Sequence, residues 1–312
     1  MCQMNEPEDF LFVYGSLKPH ELGFEQIKNL IVNYREAEIC GYSLYVRDGL
    51  PLIKKTVEDN RVRGFLIKVN PNYRIEFWKS VDDYEGSTNY RREDGQRILI
   101  ENGEILASAY VGRKMNKGNP QPLNEPWSSK QNPILSQSFP FLHQKISSNN
   151  LRFTEAEHDP SGYWRQMNDL LSQYLLLVSI LEHLTVVKFG GRKGQEPMLR
   201  IGKFQDSEGF KNAFERINQK PFNPSFDVSD SRKVEDSLSS SSPDEALEAW
   251  YQVRSNLQHR GKSSIYDAGL VQKSCIGLSN LLLEYLRTQV SGIEDEWCKI
   301  LGSNLNFAEY TE

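Results

Sequence analysis

The chain has 312 residues, 38% hydrophobic and 25% charged, with a formal net charge of −5. That much apolar surface excludes a globally disordered chain, and the acidic balance excludes a basic body that would bind nucleic acid non-specifically. The length points to two domains.

The charge is unevenly placed. Residues 1–150 carry 19 basic and 19 acidic side chains, whereas residues 151–312 carry 18 and 23. Any contact with RNA must therefore rest on a local patch. No unbroken apolar run approaches the ~18 residues of a membrane span, and the acidic start MCQMNEPEDF does not read as a signal peptide. A cytoplasmic chain with no membrane association is expected. Cys2, Cys40, Cys275 and Cys298 show neither metal-ligand nor CxxC spacing. Free thiols are expected, with no metal and no cofactor.

In chain order, FLFVY, ICGYSLYV, LPLI, VRGFLIKV, RILIE and EILASAYVG read as short strands rich in β-branched and aromatic residues. Asn102-Gly103 between the last two is a strong hairpin signal. One helix interrupts them from about Pro71 to Tyr84, with Ile75, Phe77, Trp78, Val81 and Tyr84 near helical spacing. Residues 113–135 are rich in Pro, Asn, Ser and Gly and read as linker. Beyond about residue 160 the period becomes helical. Helices are expected over Tyr163–Lys188, near Ser207–Gln219, after Ser242, and over Ile265–Thr288. The polar run DVSDSRKVEDSLSSSS is expected to be a loop. Ser242-Pro243-Asp244-Glu245 has the pattern of a capping box. The resulting division is a strand-rich domain over 1–113, a linker over 114–159, a helical domain over 160–290 and a tail over 291–312.

Two places carry candidate chemistry. At Tyr14-Gly15-Ser16-Leu17 an apolar strand runs into a turn, where consecutive N–H groups can form an anion-binding nest and Gly15 permits close approach. At the other end of the expected helix, Gly86 would stop it and leave Glu85 at its C-terminus. The helix dipole there disfavours a carboxylate and raises its pKa, as suits a general acid or base. Asp82 and Asp83 read as solvated last-turn acids.

Taken in order, YGSL (14–17), GLPLI (49–53), VRGFLIKV (62–69), VDDYEG (81–86), Tyr90-Arg91 and ASAYVG (107–112) resemble the gamma-glutamylcyclotransferase family, including its AIG2-like and gamma-glutamylamine branches. The resemblance spans about residues 9–113. It implies a small mixed β-barrel of α+β class with its pocket at the YGSL turn and Glu85 as the catalytic glutamate. It further implies that the N–H groups of Gly15, Ser16 and Leu17 hold the substrate's carboxylate or oxyanion, with Tyr14 and Tyr90 as walls. The implied reaction cyclises a gamma-glutamyl amine or peptide to 5-oxoproline. The family usually has Leu where this chain has Val81. A domain that binds a gamma-glutamyl ligand without turning it over is the alternative.

In the helix after Ser242, Leu247, Trp250, Val253 and Leu257 form one stripe. Arg254, at about 340° around the helix from Leu247, falls beside it. An arginine there needs a carboxylate, an interface or a phosphate. His259 falls at about 120°, on another face. The segment AWYQVRSNLQHRGKS (249–263), with Arg254 and His259 spaced as Arg-x4-His, resembles the HEPN superfamily. That resemblance implies an all-α bundle over roughly 160–290 and a homodimer through it. It implies a composite, metal-independent ribonuclease site in which His259 moves protons and Arg254 holds phosphate. Arg260 and Lys262 would add RNA-binding charge. Fusion of the two domains suggests a bacterial defence or toxin effector. An inactive dimerisation or partner-binding module is the alternative.

Overall fold

A computed structural model describes residues 9–57, 59–86, 89–113, 119–148, 160–191, 197–220, 223–229, 237–260 and 268–302, without the side chains of residues 160 and 258–260. The chain divides into two compact units, one of residues 1–133 with 186–195, the other of residues 134–185 with 196–312.

The first unit is built on a closed five-stranded barrel. Strands β1 (Phe10–Val13), β2 (Ile31–Cys40), β3 (Tyr42–Arg47), β4 (Leu50–Lys55) and β5 (Arg61–Val69) precede helix α1 (Arg74–Glu85). Strands β6 (Tyr90–Ile100), β7 (Gly103–Gly112) and the two-residue β8 (Gln121–Pro122) follow it. The barrel order is β1-β5-β2-β6-β7, closed by parallel pairing of β1 with β7, Leu11 opposite Ser108. The other barrel pairs are antiparallel, so the barrel is mixed, and β4-β3-β8 form a separate sheet. Glu101 and Asn102 make the tight β6–β7 turn, with Ile100 opposite Gly103. The register of β6 slips between Glu93 and Gln96, where Gly95 has φ 69°. Such a bulge bends a strand and helps a small sheet to close.

Helix α1 starts cleanly because Pro71 sits in a short 3-10 turn whose Asn70 side chain accepts from the Asn72 N–H at 3.0 Å. It buries Phe77, Trp78, Val81 and Tyr84 against Leu11, Val13, Ile67 and Val69. Ile75, expected on the same stripe, is 88% exposed. Spacing placed it near the apolar face, but the barrel wall touches only one side of the helix. Gly86, at φ 62°, ends the helix as expected, in a conformation that disfavours side chains with a Cβ.

The second unit contains α2 (Phe139–Ser148), most of α3 (Pro160–Phe189), α4 (Pro197–Gln205) and α5 (Glu208–Asn218). A small hairpin of β9 (Asp227–Ser229) and β10 (Ser237–Ser239) leads to α6 (Ala246–Arg260), α7 (Ala268–Gln289) and α8 (Ile293–Leu301). Its core gathers Tyr174, Leu177, Phe204, Phe210, Trp250, Leu278 and Tyr285, all nearly sealed from solvent. The Tyr174 hydroxyl donates to the Trp250 carbonyl, fixing α6 against α3. By length and composition α3 could cross a membrane, but 56% of its most apolar window is buried within the protein, as in a core helix.

Several local expectations change. The stretch expected as linker, 114–159, holds α2, and the stretch expected as tail, 291–312, holds α8. In both, a few large apolar side chains (Phe139, Leu142, Ile146; Ile293, Trp297) find the bundle and are buried. The Ser-rich run forms β9 and β10 at its ends. The expected capping box is absent. Glu245 Oε2 instead accepts from the Ser239 N–H at 2.9 Å, and α6 begins at Ala246.

Candidate active site

The strand β1 ends in a turn in which the Gly15 carbonyl accepts from Lys18 N–H at 3.0 Å and the Ser16 carbonyl from Gly23 N–H at 2.9 Å. With both carbonyls turned to the chain that follows, the N–H groups of Ser16 and Leu17, anti to them across planar trans peptides, face the other way. Among the described residues, no protein acceptor takes the N–H of Gly15, Ser16 or Leu17. These three residues line a cleft with Tyr14, Pro51, Glu85, Tyr90 and Tyr110. All six first-unit candidates from the sequence therefore meet at one place. The space enclosed is about 20 Å³, room for about one water.

Gly15 does not have positive φ, so what it provides is room. A Cβ there would sit 2.6 Å from Pro51 Cγ, so the absent side chain allows β4 to lie directly over the turn.

Glu85 closes the floor. It is the last residue of α1 and forms no hydrogen bond or ion pair among the described residues. Burial raises its pKa to about 8. Loss of water around an uncompensated carboxylate is the cause.

Three phenols surround it, and each has its proton on a fixed acceptor. Tyr14 donates to the Tyr110 carbonyl at 2.7 Å, Tyr90 to the Pro51 carbonyl at 2.8 Å, and Tyr110 to Asp82 Oδ1. All three pKa values are pushed up, first by burial, with the Glu85 charge adding to the shift. Behind them, the Tyr84 hydroxyl donates to the Val187 carbonyl, and Ser16 Oγ lies 2.7 Å from the same oxygen. Since Val187 takes the one phenolic proton, Ser16 must supply the other, which fixes the turn's serine to α1.

Tyr84, Tyr110, Pro51 and Asp82 were not singled out from sequence. Asp82 is the exposed last-turn acid expected, 54% exposed at its side chain, but it also accepts from Tyr110 and lies 3.7 Å from Arg92. The (i, i+3) spacing to Glu85 was the signal that could have found it.

In the second unit, Arg254 finds a carboxylate. Its Nη2 lies 3.6 Å from Glu182 Oε1, its Nη1 donates to the Tyr251 hydroxyl at 2.6 Å, and it stacks on the Tyr251 ring. His259 and Arg260 lie in α6, but their side chains, and Lys262 altogether, are outside the described residues. Of the Arg254–His259 set, only the Arg254 side chain therefore lies within the described residues.

Residues 11–129 match the family model described as gamma-glutamyl cyclotransferase, AIG2-like. No curated protein matches the chain. Among solved structures, the chain is similar to the uncharacterised protein PH0828 of Pyrococcus horikoshii, at 20% identity and TM-score 0.28, over 36% of this chain and 84% of that one. It is similar to YkqA of Bacillus subtilis at 18% identity and TM-score 0.30, over 42% of each chain. A structure named gamma-glutamyl cyclotransferase is 16% identical, with TM-score 0.24, over 38% of this chain and 72% of that one. These likenesses to solved structures are too low to carry any argument about function. The family match covers the barrel and its cleft, so residues 11–129 form a gamma-glutamyl cyclotransferase, AIG2-like domain.

Proposed function

We propose that the barrel cleft converts a gamma-glutamyl amine or peptide to 5-oxoproline and a free amine. The observation that carries this reading is a lone carboxyl group, Glu85, raised to a pKa of about 8, that lines the same cleft as the turn of Gly15, Ser16 and Leu17, whose N–H groups no described protein acceptor takes. The substrate's α-nitrogen attacks its own γ-carbonyl carbon, so nucleophile and electrophile arrive in one molecule. The α-ammonium first gives one proton to solvent and gains its lone pair, and Glu85 as carboxylate removes a second proton from the nitrogen as the new C–N bond forms. It then delivers that proton to the departing nitrogen as the amide C–N bond breaks. A pKa near 8 lets both forms of the acid exist near neutrality, as such a shuttle needs. The turn amides supply a place for the substrate carboxylate or for the oxygen that gains charge in the tetrahedral intermediate.

Assay of 5-oxoproline release from a panel of gamma-glutamyl amines and dipeptides tests the reading. Release by the unmodified chain, lost in Glu85→Gln, is expected; release that survives this substitution would sink the role of Glu85.

For the second unit, the ribonuclease and defence reading of Arg254, His259, Arg260 and Lys262 has the sequence motif as its support. The Glu182 and Tyr251 contacts favour a structural role for Arg254. RNA cleavage that is unchanged by His259→Ala would remove the nuclease assignment.

A further inference from the structure

We propose that Asp82 is a positioning residue of the cleft: by taking the Tyr110 proton it leaves the Tyr110 oxygen, like that of Tyr90, able only to accept, and so selects a ligand bearing an ammonium group. This rests on the reading of the cleft as a ligand site and deepens it.

A phenol has one proton and two lone pairs. Once the proton lies on a carbonyl or carboxylate, the free side of the oxygen can only accept. Tyr90 is committed by a main-chain carbonyl, which no side-chain change removes; the Tyr14 proton is likewise on a carbonyl, and its oxygen already accepts from the Ile53 N–H. Tyr110 differs, because its acceptor is the side chain of Asp82. Arg92 holds that carboxylate from the other side, at 3.7 Å from Oδ2, and is itself steadied over the Trp78 ring and against Asp94. Without Asp82, the Tyr110 proton is free to turn into the cleft, where it would repel a cation and donate to Glu85.

The arrangement separates two functions. The turn of Gly15, Ser16 and Leu17, which carries the donors, lines one cleft with Tyr90, Tyr110 and Glu85, which carry the acceptors, and both phenols feel the Glu85 charge. An amino-acid head carries one group for each. The phenols also have no proton to deliver, which leaves Glu85 as the proton source for the departing nitrogen.

The test uses two probes that cannot cyclise and differ only in the α-ammonium, L-norleucine and hexanoate. Their binding to the full chain is followed by NMR titration in the unmodified protein, Asp82→Leu and Asp82→Asn, with circular dichroism to check folding. Asp82 is 54% exposed at its side chain and Arg92 keeps Asp94, so both variants are expected to fold. Norleucine is expected to bind at least ~10-fold tighter than hexanoate, since hydrogen bonds to a charged group are the strong ones. Asp82→Leu should bring the ratio within about twofold, and Asp82→Asn, whose amide oxygen still accepts, should retain it. Equal binding of the two probes by the unmodified chain would overturn the inference, as would an unchanged ratio in Asp82→Leu or a lost ratio in Asp82→Asn. Ammonium-selective binding without 5-oxoproline release would instead overturn the cyclisation reading alone. Failure of both probes to bind would overturn both.

Discussion

Glu85→Gln should make the protein more stable and less active, and the stability gain should depend on pH. In the folded barrel the Glu85 pKa is about 8, against 4.5 for the free side chain. Below about 4.5 both folded and unfolded chains carry the proton and burial of this group costs little. Between about 4.5 and 8 the unfolded chain releases the proton while the folded chain keeps it, so stability falls as pH rises. Above about 8 the folded carboxylate is charged as well and the loss is complete. At about 1.4 kcal/mol for each pH unit between the two values, the loss is capped at roughly 5 kcal/mol. Glutamine has the shape of the protonated acid and never ionises. Its variant should match the parent near pH 5 and exceed it by several kcal/mol near pH 8.5. Urea unfolding of the full chain, followed by a barrel-specific NMR signal at both pH values, measures this. A stability difference that is the same at pH 5 and 8.5 would refute burial as the source of the shift. In the same variant, 5-oxoproline release should fall about 10²–10⁴-fold, the usual share of a proton shuttle.

At Gly64 an added Cβ would lie 2.3 Å from the Val13 carbonyl oxygen, so Gly64→Ala should destabilise the barrel by about 2 kcal/mol or more, read as a lower urea midpoint. Gly15→Ala meets only the ring of Pro51, at 2.6 Å, and should change ligand binding more than the urea midpoint. In the helical unit, burial pulls the His143 pKa down to about 4, with Lys220 adding to the effect. Stability there should be intact above about 6.5 and decline as pH falls toward 4, and this decline should shrink in His143→Gln, measured by unfolding across that window. The Arg254–Glu182 pair is about a quarter exposed on each side, so a double-mutant cycle should give about 1 kcal/mol or less, reduced further by salt.

The order of strands, the helix α1 and its stop at Gly86 were legible because they rest on local chemistry. β-branched runs, an Asn-Gly turn and a positive-φ glycine act within a few residues. The same holds for Glu85 and the Tyr14–Leu17 turn as members of an ordered set of motifs. Strand β2 was only half legible: Val32, Tyr34 and their neighbours are mostly exposed, so its first part has no clear apolar alternation. The helices α2 and α8 were missed because their buried faces are short and gain meaning only from the bundle they join.

Sequence by itself picked out Glu85, Tyr90 and the Tyr14–Leu17 turn, while Tyr110 and Pro51, which line the same cleft, were not picked out. Tertiary structure decided their state. Glu85 is held near a pKa of 8 by the atoms that exclude water from it, and no count of neighbours along the helix contains that burial. The phenols became acceptors because strands distant in sequence brought Pro51, Tyr110 and Asp82 within reach of their protons. Protonation and hydrogen-bond direction depend on distance and desolvation in three dimensions, and these arise only when the barrel closes.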